Sequence, residues 1–421
     1  MNPGRIDFEE YRLPNGLRVI LHEDHKVPVV CVNIAYHAGS KNEDVKRRGF
    51  AHLFEHLLFE GSRHVPRGAF DQHIVHAGGH DNAYTTEDIT NYYEVLPSHQ
   101  LELALWLESD RLLEFAIANE SLETQKSVVK EEKRERYDNT PYGSVSIRMN
   151  RMAYTNFPYW WAVIGDMETI EAATLADVRE FYETFYIPSN AVLVLAGDFE
   201  RNRAMALIDR YFANIPNGRT TIERPIFNDP PLTAERREII REEPVPLPAV
   251  FYAYRVPPEG TDEHFALDLL SDILSSGESA RLHRKLVYDL QIASETAAYV
   301  DSRECPGLFY SYAVASEVDC ESAALEAAFE QVLNEVAANG VTEIELEKAK
   351  NKMEARTVAT RVTLQGKADQ LAHSALIFGD PGVVNESLGR YQKVTLDDIQ
   401  HVALRYLTPK NRCTLVYEPN H

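Results

Sequence analysis

Apolar positions along this chain follow two periods. Arg18–His22 and Val29–Ala35 are short runs rich in β-branched residues, as strands are. Phe50–Phe59, Leu101–Phe115, Asn119–Tyr137 and Ala323–Asn339 instead repeat their apolar positions at helical spacing. Short strands mixed with long helices predict an α+β fold, with mostly antiparallel sheets covered by helices on one face.

The pattern also repeats itself. Thr174-Leu175-Ala176-Asp177-Val178 precedes a helix, then Pro188-Ser189-Asn190 and the strand Ala191–Leu195. At a constant offset of 221 residues come Thr395-Leu396-Asp397-Asp398-Ile399, a helix, Pro409-Lys410-Asn411 and the strand Arg412–Val416. In both copies a threonine caps a helix with an acid in its first turn, and a Pro-x-Asn turn leads into a strand. Phe50–Gly61 and Phe265–Gly277 are comparable too, each a helix closed by glycine. Between the copies, Thr221–Pro248 holds six prolines, Pro244 among them, and few periodic apolar residues. The expected organisation is two homologous domains, 1–222 and 249–421, joined by a linker and entering strand at 223–248.

Within the first copy stands His52-Leu53-Phe54-Glu55-His56, an H-x-x-E-H. Residues four apart on a helix lie on one face, so both imidazoles can point at one metal ion. Two neutral imidazoles suit Zn²⁺, and the nearby Glu55 carboxylate can act as a base toward water. The reversed order, compared with H-E-x-x-H, is that of the inverzincins. A third ligand is required. Glu132 stands 75 residues beyond His56 and shares a helix face with Val128 and Val129, while Glu131 is turned about 100° away toward solvent. In the second copy Leu267, Leu270 and Ser271 fall at the comparable places, so that half is expected to hold no zinc. His64, His73, His76 and His80 cluster only in sequence and read as solvated loop residues.

The stretch Gly49–Ser62 resembles the G-x-A-H-x-x-E-H-x-x-F-x-G-[ST] core of the M16 metallopeptidases, the pitrilysin, insulinase and mitochondrial-processing-peptidase family. Glu132, in Val128-Val129-Lys130-Glu131-Glu132, matches the place of that family's third ligand. Leu13–Val19 is similar to its opening strand. Gly78-Gly79 with Asn82–Thr86 and Thr90–Tyr93 resembles the strand beside its metal, and Pro158-Tyr159 with Gly165 also fits. The resemblance implies the duplicated M16 (LuxS-like) fold and a zinc endopeptidase subunit with one Zn²⁺ per chain. It implies ligands His52, His56 and Glu132, Glu55 as general base, and Asn82, Ala83 and Tyr84 on an exposed strand edge receiving substrate. Gln125 departs from the pattern, since many relatives carry a glutamate seven residues before the ligand; that touches rate rather than zinc binding.

A second departure concerns the zinc-free half. There the family usually supplies an Arg and a Tyr, seven apart, after an S-R-L-like segment. After Ser279-Ala280-Arg281-Leu282 this chain has Val287 and Ser294 at those places, and Arg281 and Tyr288 are out of register. The resemblance therefore implies a different partner subunit completing a chamber, a heterodimer, with a homodimer as the alternative. The competing reading is a non-catalytic structural or peptide-binding subunit.

Composition narrows the setting. With 421 residues, 44% hydrophobic and 26% charged, the chain is globular material for two domains. A net charge of −22 argues against nucleic acid and against anionic membrane surfaces. No apolar run is long enough for a membrane span. Met1–Glu10 lacks the layout of a signal peptide, and Cys31, Cys305, Cys320 and Cys413 show no paired spacing. The expectation is a cytoplasmic protein, or a periplasmic one if a leader has been removed.

Overall fold

The computed structural model describes residues 4–114, 116–218, 221–241 and 245–420; Phe115, Pro244 and the extreme termini lie outside the described residues. The strands are β1 (Glu9–Arg12), β2 (Arg18–Glu23), β3 (Val29–Tyr36), β4 (His80–Thr85), β5 (Thr90–Pro97) and β6 (Ala191–Gly197), then β7 (Arg236–Ile240), β8 (Ala249–Arg255), β9 (Ala293–Asp301), β10 (Leu308–Ala315) and β11 (Arg412–Tyr417). The helices of the first half are α1 (Phe50–Leu57), α2 (Ala69–His76), α3 (Leu101–Leu113), α4 (Asn119–Lys133), α5 (Val145–Ala153), α6 (Met167–Ala172), α7 (Leu175–Phe185) and α8 (Arg201–Phe212). Those of the second half are α9 (Asp262–Ser275), α10 (Ser322–Asn339), α11 (Glu343–Thr360), α12 (Leu364–Ile377), α13 (Ser387–Lys393) and α14 (Leu396–Tyr406).

Two compact units result. The first comprises Met1–Glu131, Trp161–Pro225 and Thr357–Glu386; the second comprises Glu132–Trp160, Ile226–Arg356 and Ser387–His421. The main division, at Pro225/Ile226, falls in the proline-rich stretch. It is not a simple cut between 1–222 and 249–421, because residues 132–160 and 357–386 each group with the other half.

The first unit holds a six-stranded sheet in the order β1-β2-β6-β3-β5-β4, and the second a five-stranded sheet in the order β7-β11-β8-β10-β9. Each has one parallel pair, β2 with β6 and β7 with β11, among antiparallel neighbours. The repeat read from the sequence is visible in detail. Thr174 and Thr395 form capping boxes with Asp177 and Asp398. Asn190 and Asn411 donate their amides to the carbonyls of Phe185 and Tyr406 at the ends of α7 and α14, at 2.7 and 2.9 Å. Each asparagine thus satisfies an orphan helix carbonyl just before an interior strand, β6 or β11, begins.

Helices are not confined to one face of a sheet. In the first unit α1 packs beneath Tyr92, whose hydroxyl donates to the Phe54 carbonyl, while α12 covers the opposite face. There Ala368, Leu371, Ala372 and Ala375 close on Ile20, Cys31, Ala35, Val192 and Val194. In the second unit α9, α10 and α14 pack on Val250, Tyr252, Tyr254 and Val416, and α5 covers the other face through Met149 and Ala153 against Ala249, Phe251 and Ala253. Side chains alternate across a strand, so a strand buried on both faces reads as continuous apolar sequence, as Ala191–Gly197 does. No helix among the described residues is long and apolar enough to cross a membrane.

Candidate metal centre

Helix α1 has no side chain of its own to cap its first turn. Gly49 precedes it at φ 90°, and a Cβ there would stand 2.9 Å from the Gly165 backbone, so only glycine permits this approach. Glu43, from the preceding loop, supplies the cap. Its two oxygens accept from the Gly49 and Ala51 amides, both at 2.8 Å, and Trp161 Nε1 donates to the same carboxyl at 3.0 Å. Phe50, Leu53, Phe54 and Leu57 are buried, which fixes the helix's rotation about its axis. His52 and His56 then project side by side, ring centroids 4.9 Å apart, with His52 8% exposed.

Helix α4 brings Glu132. One donor atom from each of His52, His56 and Glu132 lies within 4.8 Å of the other two, the one such group among the described residues. Donors at about 2.1 Å around a tetrahedral ion stand about 3.4 Å apart, so small side-chain rotations close this trio on one centre. Two imidazoles and a carboxylate are a donor set that Zn²⁺ accepts. Val129 is fully buried beneath Glu132, and Glu131 is exposed, as the helix geometry requires. Val128 is 41% exposed and does not share that inward face. The reason is angular: Val128 sits 100° from Val129, beyond the edge of the narrow buried stripe. Helix α4 also stops at Lys133 rather than running to Tyr137. It loosens into a π-helical turn, Arg134–Asp138, from which Arg136 reaches back to Glu132 at 2.7 Å.

Glu55 lies on the same helix as the histidines, half-buried. Thr85 Oγ1, on β4, donates to its Oε2 at 2.7 Å. Asn82, Ala83 and Tyr84 all lie on β4, which pairs only with β5 and so forms the edge of the sheet. Asn82 Oδ1 accepts from the Ala83 amide at 2.8 Å, which marks that amide as one pointing outward from the sheet. Gln125 spends its amide on Glu60 Oε1 at 2.7 Å, and the other Glu60 oxygen takes Arg67 at 2.6 Å.

Of the four histidines clustered in sequence, His64 is an exposed loop residue as expected, while the other three sit on regular elements. His73 and His76 lie on α2 and His80 on β4, all three exposed; His64 pairs with the buried Asp110 at 2.6 Å. In the second unit Leu267 and Leu270 are fully buried and Ser271 donates to the Asp268 carbonyl, so the face equivalent to the metal site has become core. Val287 packs against that core, and Ser294 on β9 donates to the Ala315 carbonyl. Arg281 is committed to a two-pronged pair with Glu345 at 2.7 and 2.8 Å, and Tyr288 is 74% exposed.

The cap from Glu43, the Thr85–Glu55 hydrogen bond and the Arg136–Glu132 pair were not anticipated from the sequence. The first two join groups that carry no local pattern, the Trp161–Glu43 contact spanning 118 residues, whereas Arg136 and Glu132 stand four apart, a helical spacing that the sequence does carry.

Residues 18–165 match the family profile described as insulinase (peptidase family M16), and residues 172–353 that of the peptidase M16 inactive domain. The chain is 29% identical over 419 residues to the zinc protease PqqE of Helicobacter pylori, covering 98% of this chain and 93% of that one. It is 22% identical to the zinc protease YmxG of Bacillus subtilis over 411 residues, 97% of this chain and 98% of the other. Among solved structures, a protease from Helicobacter pylori superposes with a TM-score of 0.93 at 27% identity, over 98% of this chain and 99% of that one.

Proposed function

The chain belongs to peptidase family M16, and from that premise we propose that it is a zinc-dependent endopeptidase subunit acting on unfolded peptides or small proteins. The observation that carries this reading is the convergence of His52, His56 and Glu132 within 4.8 Å, with Glu55 presented from the same helix. These three residues would hold the metal. Zinc, when bound, supplies a Lewis acid that activates water and polarises a peptide carbonyl. Glu55 takes the proton of the attacking water and passes it to the leaving amine. Thr85 keeps the Glu55 carboxylate oriented for both transfers. The edge of β4 at Asn82, Ala83 and Tyr84 receives the substrate main chain as an added strand, aligning the scissile bond without regard to most side chains.

The match of residues 172–353 to an inactive domain fits this reading, because that segment contains Leu267, Leu270 and Ser271 and none of the proposed ligands. With Val287 and Ser294 at the places of the Arg/Tyr pair, and Arg281 held by Glu345, the chain offers no such pair of its own. A second, different M16-like subunit would contribute it.

The test is cleavage of a quenched fluorescent peptide by the zinc-loaded chain, alone and mixed with the product of a neighbouring M16-like gene, alongside the Glu55→Gln variant. The expected result is one zinc per chain in both proteins, cleavage in the mixture, and its loss by at least about a hundred-fold in Glu55→Gln. Cleavage that survives Glu55→Gln removes Glu55 as the base. Full activity of the chain alone removes the partner.

A further inference from the structure

Where α12 covers the first unit's sheet, the apolar contacts around Cys31, Ala35, Val95, Ala368 and Ala372 enclose a polar cluster. Asn33 on β3 and Asn91 on β5 are both fully buried there. Asp369 of α12 meets them: its Oδ1 accepts from Asn33 Nδ2 at 2.9 Å and from Asn91 Nδ2 at 2.8 Å. Burial pushes the Asp369 carboxyl above its ordinary range, against the pull of these two donors. A carboxylate accepts only from donors, so both amides turn their nitrogens toward it. Their oxygens, Asn33 Oδ1 and Asn91 Oδ1, are left buried with no hydrogen-bond partner among the described residues. Apolar side chains of similar size would avoid that cost. Departures of this kind concentrate at functional sites.

The strand register shows what the cluster supports. Asn33 stands opposite Tyr93, and Tyr93 opposite Asn82; Asn91 stands opposite Tyr84. Residues directly opposite one another share a sheet face, so two polar rows run across the α12 side and both end on β4. Helix α12 reaches both rows. Gln365, one turn before Asp369, interacts with the Tyr93 hydroxyl, as does Asn82, and the Asp369 charge acts on Tyr84 and Tyr93. Thr85 and Ala83 alternate to the other face, where Thr85 meets Glu55. Strand β4 pairs only with β5, so its placement depends on β5 and on what packs behind the two strands. All of these residues belong to the first unit.

We infer that Asp369 and Gln365 are positioning residues for substrate: acting through Asn91 and Tyr93, they hold Asn82 and Tyr84 from behind and keep the free edge of β4 in the geometry with which a peptide main chain pairs. The inference rests on the reading of β4 as the substrate strand and deepens it, because it ties a helix remote in sequence to peptide capture. Neither residue touches a proposed metal ligand, so the effect is read in peptide affinity and not in zinc content.

Peptide binding beside zinc analysis tests this. Zinc-loaded full-length Glu55→Gln chain, alone and with the product of the neighbouring M16-like gene, would be titrated with a labelled unfolded peptide by fluorescence anisotropy. In that background Asp369→Ala is expected to weaken binding roughly ten-fold, and Tyr93→Phe, which strands no buried amide, about three-fold or more. Asp369→Asn, whose amide oxygen can still accept both bonds, is expected to stay within about two-fold of the parent. Leu371→Ala opens a cavity in the same helix without touching the polar rows; it is expected to melt earlier and to bind peptide as the parent does. All variants should hold one zinc per chain. Ala83→Pro removes an amide from the free edge of β4 and should abolish binding. If it does, while Asp369→Ala and Tyr93→Phe bind like the parent, the inference is overturned and the strand reading stands. An equal loss in Leu371→Ala also overturns it, since α12 would then act through stability alone. No binding by the parent, or binding that survives Ala83→Pro, removes the strand reading and the inference with it.

Discussion

The Thr85 hydroxyl donates to Glu55 at 2.7 Å, joining the edge strand β4 to the helix that carries both histidines. The proposed base is therefore oriented by the same strand that is proposed to receive substrate. A hydrogen bond to a charged carboxylate contributes about 1.5–3 kcal/mol, and its loss lets Glu55 sample unproductive rotamers. Thr85→Val keeps the shape and removes the donor. Its kcat should fall by about ten-fold or more, with KM and zinc content little changed. Steady-state kinetics beside metal analysis checks this, and an unchanged kcat would show that the bond does not orient the base.

Glu132 and Glu131 are adjacent carboxylates with opposite surroundings, one half-buried beside the histidines and one exposed. Glu132→Gln should weaken zinc binding by about a hundred-fold or more, since an amide oxygen carries no charge to offset the ion's. Glu131→Gln should leave it unchanged. Competition with a chromophoric chelator measures both. Equal losses in the two variants would mean that the helix contributes through overall charge and not through a ligand.

The sequence singled out His52 and His56 by their four-residue spacing on one helix and Glu132 by its place in the resemblance, and the structure sets one atom of each within 4.8 Å of the others. The duplicated units were legible because caps and Pro-x-Asn turns are local signals, and both copies keep them at Thr174 and Thr395. What escaped depends on tertiary partners. Helix α12 joins the first unit's sheet through Ala368, Leu371, Ala372 and Ala375. Nothing in that apolar stripe says which sheet it will meet. The exposure of Val128 was misjudged for a related reason: a sequence shows which residues share a face but not how wide the buried stripe is.

Glu43 is 6% exposed and serves three donors at once, two of them amides at the start of α1. Glu43→Ala strands the Gly49 and Ala51 amides in the interior, where each unsatisfied group costs about 1–3 kcal/mol, while Trp161 Nε1 keeps the Ser40 carbonyl at 3.1 Å. His52 follows Ala51 directly, so loosening this turn also displaces a proposed ligand. The variant should melt several degrees lower and bind zinc more weakly, whereas Thr174→Ala, which removes only the cap of α7, should cost about 1 kcal/mol and leave zinc affinity intact. Calorimetry and zinc titration separate the two. A Glu43→Ala protein with wild-type melting and zinc affinity would mean that water replaces the cap without cost.

Beneath β4 a single guanidinium serves several acids. Arg111, fully buried on α3, pairs with Glu108 on its own helix and with Glu94 on β5, and Asp81 on β4 stands across from Glu94 with Asp71 of α2 beside it. Burial, and then the neighbouring Asp71 charge, push the Asp81 carboxyl from its ordinary 3.8 to about 6. The folded state therefore holds a proton that the unfolded chain releases. Stability is undiminished below about pH 4, falls as pH rises from about 4 to about 6, and is level above that. Asp81→Asn imitates the protonated form at every pH. It should match the wild type near pH 4 and exceed it at pH 7 by on the order of 1 kcal/mol, a figure discounted for the group's partial exposure. Glu94 is pushed upward as well, by burial first, then by Glu108 and in smaller part by the Asp81 charge, so removing that charge also relieves Glu94 and widens the gap at pH 7 in the same direction. Denaturant unfolding of the two proteins at pH 4, 5, 6 and 7 measures the difference. A gap that stays constant from pH 4 to pH 7 would show that Asp81 does not take up this proton.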